Sequence, residues 1–250
     1  MPQPTIAEFT DPRLVEIFDT VNAYDPGTQP DFYASVARQI GSRTIVELGC
    51  GTGIITVALA EQGYTMIGVE PAAAMLDVAR TRSRAEHVGW ITGSAAEIGT
   101  PNADMAFMAG HVAQFFVDDA EWMDALRAMH RALRTGGTLT FEARNPADRA
   151  WERWTPNDRH EVTHPHAGPV THWSDTLAMD AGVLTYDNHY VFEATGEHLV
   201  SHAQLRFRTL TELDASLEAA GFTRTECYGN WGRAPLAPTS PEFIVVATAR

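Results

Sequence analysis

The chain of 250 residues contains no lysine; its 18 basic residues are all arginine and face 32 acidic ones, for a formal net charge of −14. A surface of that sign does not track a phosphate backbone or an anionic bilayer, which argues against DNA, RNA and acidic membranes as partners. Cysteine is nearly absent. Cys50 and Cys227 are too few and too far apart for a disulfide framework, and both are expected as small buried side chains. No apolar run approaches a membrane span, and the segment MPQPTIAEFTDPR lacks the basic and apolar regions of a signal peptide, so a cytoplasmic protein is expected. The length suits one α/β domain with an elaboration.

What is present is a glycine-rich turn, Val46-Glu47-Leu48-Gly49-Cys50-Gly51-Thr52-Gly53, between an apolar run (44–48) and a helical stretch (54–61). Glycine there permits positive φ and lets a ligand approach the backbone closely. A second apolar run ends at Glu70, where a carboxylate accepts hydrogen bonds from ribose hydroxyls. Two cofactors fit this layout, a nicotinamide dinucleotide and S-adenosylmethionine. The dinucleotide pattern G-x-G-x-x-G would place its third glycine at position 54, which is Ile54. Glu47, two residues before the first glycine, repels a pyrophosphate and favours a sulfonium or ammonium. The sign of the turn therefore selects S-adenosylmethionine, with S-adenosylhomocysteine as product.

The chain here resembles the class I S-adenosylmethionine-dependent methyltransferases. The resemblance rests on VELGCGTG, GVEPAAAML, GSAAEI and ALRAMHRALRTGGTLTFEARNP, across roughly residues 40–145, with late strands near 222–229 and 242–248. It implies that Glu47, Gly49, Gly51 and Gly53 line the methionine portion, with Cys50 in the same turn, and that Glu70 holds the ribose beside Pro71. It further implies that Met75 packs near the adenine and that Ala95 and Ala96 follow its edge, with Ala109 after the fourth strand completing the cofactor set. Where many relatives carry Gly-Asp, this chain has Gly93-Ser94, which leaves adenine recognition to Ser94 or to backbone. The implied fold is α/β, a Rossmann-like doubly wound seven-stranded sheet, mostly parallel with an antiparallel C-terminal hairpin.

Organisation along the chain agrees. Helices are expected over 12–21 and 30–40, joined by the turn-rich 22–27 and able to act as a lid. Strands at 87–92, 103–108 and 138–143 alternate with helices at 72–83 and 118–134, so a ligand belongs beyond the carboxyl ends of a parallel sheet. Residues 151–208 read as an antiparallel β insertion of three strands, near 170–179, 183–194 and 197–207. If Thr195-Gly196 is a two-residue turn, Phe192 faces Leu199, Tyr190 faces Ser201 and Tyr186 faces Leu205 on an apolar face, while His189 faces His202 and Glu193 faces His198 on a polar one. Thr209-Leu210-Thr211-Glu212 has capping-box spacing ahead of a helix to Ala220. The expected division is 1–42 as lid, 43–150 as cofactor-binding core, 151–208 as substrate cover and 209–250 as completion of the sheet. By family analogy 14–33 and 151–208 choose the acceptor.

Methyl transfer needs alignment, exclusion of water and, for a hydroxyl or an ammonium, a general base. His111, just past the fourth strand, is the candidate, against the plainer role of a helix-start histidine. Tyr24 is positioned to reach the cofactor carboxylate. Tyr24, Phe32, Tyr33, Trp151, Trp154 and Trp173 offer pocket walls or ordinary core, and Arg144, Arg149 and Arg153 offer a substrate carboxylate a partner or pair on the surface. Seven of the ten histidines lie between 160 and 202 without metal-ligand spacing, so no metal is expected. The expected activity is methyl transfer to oxygen or nitrogen of a small molecule. The rival readings are an NAD(P)-dependent oxidoreductase and a non-catalytic S-adenosylmethionine-binding module. The oligomeric state is not readable from the sequence.

Overall fold

A computed structural model describes residues 6–24 and 28–250. The Asp25-Pro26-Gly27 part of the expected loop and residues 1–5 lie outside the described residues. Three N-terminal helices, α1 (Ala7–Thr10), α2 (Pro12–Val21) and α3 (Gln29–Gln39), precede β1 (Thr44–Leu48), α4 (Ile54–Glu61), β2 (Thr65–Glu70), α5 (Ala73–Thr81) and β3 (Val88–Thr92). The chain continues through β4 (Ala103–Met108), α6 (Val112–Phe115), α7 (Asp119–Ala132) and β5 (Leu133–Arg144). Strands β6 (His160–His164), β7 (Gly168–Asp180), β8 (Val183–Phe192) and β9 (Glu197–Arg206) follow, then α8 (Leu210–Ala219), β10 (Phe222–Tyr228) and β11 (Glu242–Ala249).

The principal sheet has seven strands in the order β10-β11-β5-β4-β1-β2-β3, parallel except for β11, which runs antiparallel to both β5 and β10. Its central strands are apolar on both faces because helices cover both: Ile45, Val46 and Leu48 of β1 and Met105, Phe107 and Met108 of β4 are fully buried. Helix α7 opens with Asp118 accepting from the Ala120 and Glu121 amides and turns Trp122, Leu126 and Met129 inward. It ends at Ala132, two residues before the expected stop, because Leu133 pairs with Ala103 and Arg134 reaches Asp104 at 2.8 Å. The capping box at Thr209 and Glu212 is present. No helix among the described residues is long and apolar enough to cross a membrane.

The insertion is a separate four-stranded antiparallel sheet in the order β6-β7-β8-β9. Its first strand, His160–His164, was not expected; it is short and polar, and only its pairing with β7 reveals it. The expected hairpin register is displaced by two residues. Phe192 faces Glu197, Tyr190 faces Leu199 and Tyr186 faces Ala203. The chain turns through four residues, with the amides of Thr195 and Gly196 both donating to the Phe192 carbonyl at 3.2 and 2.8 Å. A two-residue shift preserves which face each side chain occupies, so Tyr186, Tyr190, Phe192 and Leu205 still share the buried face. On the polar face His189 meets His198 at 3.0 Å and His202 meets Asp187 at 2.6 Å, in place of the expected His189–His202 and Glu193–His198 pairs.

The apolar face of this sheet is covered by α1 and α2. Leu14 and Ile17 pack on Val170, Tyr190 and Phe192, and Ile6 packs on Leu184, Tyr186 and Leu205. The N-terminal helices thus lie between the insertion and the carboxyl edge of the principal sheet.

Candidate active site

The turn from β1 into α4 forms the floor of a cleft of ≈ 280 Å³ beyond the carboxyl ends of β1, β2 and β4. Gly49 and Gly53 have φ of 76° and 75°, in the region that side chains avoid. At Gly49 a Cβ would stand 2.5 Å from Val112 Cγ2, so the Val112 side chain of α6 packs directly on the bare backbone of the turn. The amides of Gly49 and Cys50 donate to Val69 O at 2.8 and 3.1 Å, pinning the turn to β2.

The carboxylate of Glu70 accepts from the Gly51 amide at 3.1 Å and the Ala72 amide at 3.0 Å. These bonds orient it at the rim while leaving lone pairs for ribose hydroxyls. Burial raises its pKa, as it does for Glu47, whose carboxyl is pushed up to about 8. Glu47 accepts a hydrogen bond from Thr56 and feels the negative charge of Glu142 and Glu70. Glu142, buried in β5, accepts from Tyr33 and from the His111 amide at 2.9 Å. Desolvation raises its pKa too. Asp19, Glu47 and Glu70 line the cleft, and no cationic side chain lines it among the described residues. Asp19 is neutralised from outside by Arg82.

The cleft gathers Tyr24, Glu47, Gly49, Cys50, Gly51, Glu70, Pro71, Met75 and Ala109 from the residues singled out in the sequence. Tyr24 is packed so that its hydroxyl lies 3.1 Å from where a Cβ on Gly110 would stand. Burial and nearby acids raise the Tyr24 and Cys50 pKa values, so both stay protonated. The remaining candidates lie elsewhere. Gly53 packs under Trp90, whose ring would be 2.7 Å from a Cβ there. Ser94, Ala95 and Ala96 line a neighbouring hollow with Glu121 and Arg131, and Ser94 caps its own short turn by accepting from the Ala96 amide at 3.2 Å. Tyr33 and Phe32 are core residues, with Tyr33 stacked on Phe107 at 4.5 Å.

His111 has φ 61°, unusual for a residue other than glycine. Its neighbours Gly110 and Val112 line the cleft, while its ring turns to β11, where Nε2 lies 3.1 Å from both oxygens of Glu242. Residues 151–208 contribute nothing to the lining. Their apolar face is occupied by α1 and α2, which supply Ile6, Phe9, Thr10, Phe18, Asp19 and Asn22 to the cleft instead. These residues escaped the sequence reading because α1 is a single turn whose role depends on contacts nearly 200 positions away, as between Glu8 and Ser201.

The comparisons with known proteins agree with this geometry. The sequence matches the methyltransferase domain family over residues 45–137. It is similar to the cypemycin N-terminal methyltransferase of a Streptomyces species, 25% identical over 238 residues that cover 94% of this chain and 96% of that protein. The fold is similar to that of the CcbJ methyltransferase from Streptomyces caelestis, with TM-score 0.77 and 22% identity over 99% of this chain and 100% of that one. It is also similar to an amino pentose methyltransferase from Micromonospora echinaspora solved with S-adenosylmethionine bound, with TM-score 0.69 and 22% identity over 94% and 97% of the two chains.

Proposed function

We propose that the chain works as a class I S-adenosylmethionine-dependent methyltransferase, in line with its methyltransferase-domain match and its fold, and that it methylates the nitrogen of a small-molecule amine. The cofactor, S-adenosylmethionine, supplies a methyl group already activated on a sulfonium. Glu70 holds the ribose, Glu47 and the 49–51 backbone face the methionine portion, and Met75 packs beside the adenine. The bare glycine floor and the uncompensated Glu47 fit a cationic ligand of that shape. The observation that carries the choice of nitrogen is the acidic field on the acceptor side. Glu142 and Glu242 flank His111 at the paired strands β5 and β11, next to Gly110 and Val112 of the cleft lining.

Such a field attracts an ammonium and opposes the phenolate or alkoxide that an oxygen acceptor would develop. An amine arriving protonated must shed a proton before its lone pair can attack. His111 is the group we assign to take it, and Glu242 then stabilises the imidazolium. The similar proteins include one named an N-terminal methyltransferase and one named an amino pentose methyltransferase. The test supplies labelled S-adenosylmethionine with pairs of acceptors that differ only by amine or hydroxyl. Transfer to the amine member of each pair is expected; transfer confined to hydroxyls overturns the reading.

A further inference from the structure

Arg144 ends β5 half-buried, and desolvation lowers its pKa. Arg208, the arginine that is fully buried among the described residues, is 4% exposed and holds Asp119 at 2.8 Å. Arg144 forms no ion pair among the described residues. Its cross-strand neighbour Glu242 turns its carboxylate to His111 instead. Glu142 is likewise engaged, by Tyr33 and the His111 amide. The side-chain acceptor that Arg144 finds is the amide oxygen of Gln114, 3.1 Å from Nη1, and its face lies over Trp154 with Cζ 5.1 Å from the ring centroid. Nε and Nη2 are left without an acceptor among the described residues.

Gln114 is 1% exposed, and its Nε2 has no hydrogen-bond partner. Its orientation is fixed, since Oε1 accepts from both the amide and Nη1 of Arg144. A buried amide donor without an acceptor is unfavourable, and a half-buried guanidinium without an anion adds to that imbalance. The two stand side by side. Gln114 belongs to α6, whose Val112 and Phe115 line the cofactor cleft, and Phe115 and Trp154 belong to one apolar cluster. An unmatched planar fork, an adjacent amide donor and an aromatic wall match the shape and charge of a carboxylate.

We infer that Arg144 and Gln114, walled by Trp154, form a carboxylate-binding subsite beside the cofactor cleft, and that the acceptor is an amine which also carries a carboxylate. The second half rests on the amine reading above; the subsite does not. The test uses benzoate and benzamide as probes on the full chain saturated with S-adenosylhomocysteine, read by tryptophan fluorescence. Benzoate is expected to bind at least about ten-fold more tightly than benzamide. Arg144→Gln abolishes that preference, and Arg144→Lys, which keeps the charge and loses the fork, retains part of it. Gln114→Leu weakens benzoate several-fold with the charge intact, so the inference stays testable if Arg144→Gln does not fold. Equal binding of the two probes, binding of neither, or a preference that survives Arg144→Gln overturns it. A benzoate preference alongside failure of every amine in the transfer assay removes the amine reading and leaves the subsite standing.

Discussion

Glu47 in the glycine turn and Glu8 in the seam between α1 and the antiparallel sheet are both buried, and desolvation pushes their carboxyls up to about 8 and about 7. Their surroundings differ. Glu8 accepts from Asn188 Nδ2 at 2.8 Å and the Tyr190 hydroxyl at 3.1 Å, and its own amide donates to Ser201 Oγ at 3.2 Å. Neutral donors meet it, and it is not itself part of the cleft lining. Glu47 has one side-chain donor, Thr56, and like-charged neighbours in Glu142 and Glu70. An acid left short of partners at a cleft is arranged for a cation that arrives later; an acid satisfied by neutral donors pins two elements together.

The comparison breaks first at the turn. Gly49→Ala places a methyl group against Val112 in a backbone of φ 76°. The expected result is loss of at least about a hundred-fold in S-adenosylhomocysteine affinity together with ~1–3 kcal/mol of stability, measured by calorimetry and denaturant unfolding. Wild-type affinity in that variant would show that the turn is not the cofactor floor.

This contrast also explains what the sequence revealed. That the turn, Glu70 and Met75 meet at one cleft was legible, the first two from local spacing (a strand, three glycines, a helix and an acid closing the next strand) and Met75 from the family resemblance. The register of the hairpin was two residues off because Thr195-Gly196 does not specify loop length, although the alternation of Tyr186, Tyr190 and Phe192 fixed the buried face. Glu8 and Gln114 were illegible for a different reason. Each owes its state to residues distant in the chain, Asn188 in one case and Arg144 in the other. The position of the 151–208 sheet was illegible for the same reason, since α1 and α2 cover its apolar face.

A smaller effect sharpens the electrostatic side. S-adenosylmethionine carries a sulfonium and S-adenosylhomocysteine does not, so only the former gains from ionised Glu47. The ratio of their affinities is expected to shift toward S-adenosylmethionine by roughly ten-fold as pH rises through about 8, where Glu47 loses its proton. Glu47→Gln flattens that ratio. A ratio with the same pH dependence in both proteins would assign the charge selectivity to another group.

The smallest effect on the cleft belongs to Glu8, and its sign is opposite in the measurement that matters there. The folded carboxyl titrates near 7 and the unfolded one at 4.5, so between those values the folded state holds the extra proton. Stability from this group is therefore present in full below pH 4.5 and declines as pH rises to about 7, after which it is level. Glu8→Gln keeps an acceptor for Asn188 and Tyr190 and cannot ionise. It is expected to match the wild type near pH 5, to exceed it at pH 8 by on the order of 1–3 kcal/mol, and to leave S-adenosylhomocysteine affinity within about two-fold at either pH. Urea unfolding at the two pH values measures the first pair of outcomes and calorimetry the last. A large loss of affinity in Glu8→Gln would mean that the seam and the turn are one functional unit, because the roof residues Ile6, Phe9 and Thr10 would then depend on the charge of the acid beside them.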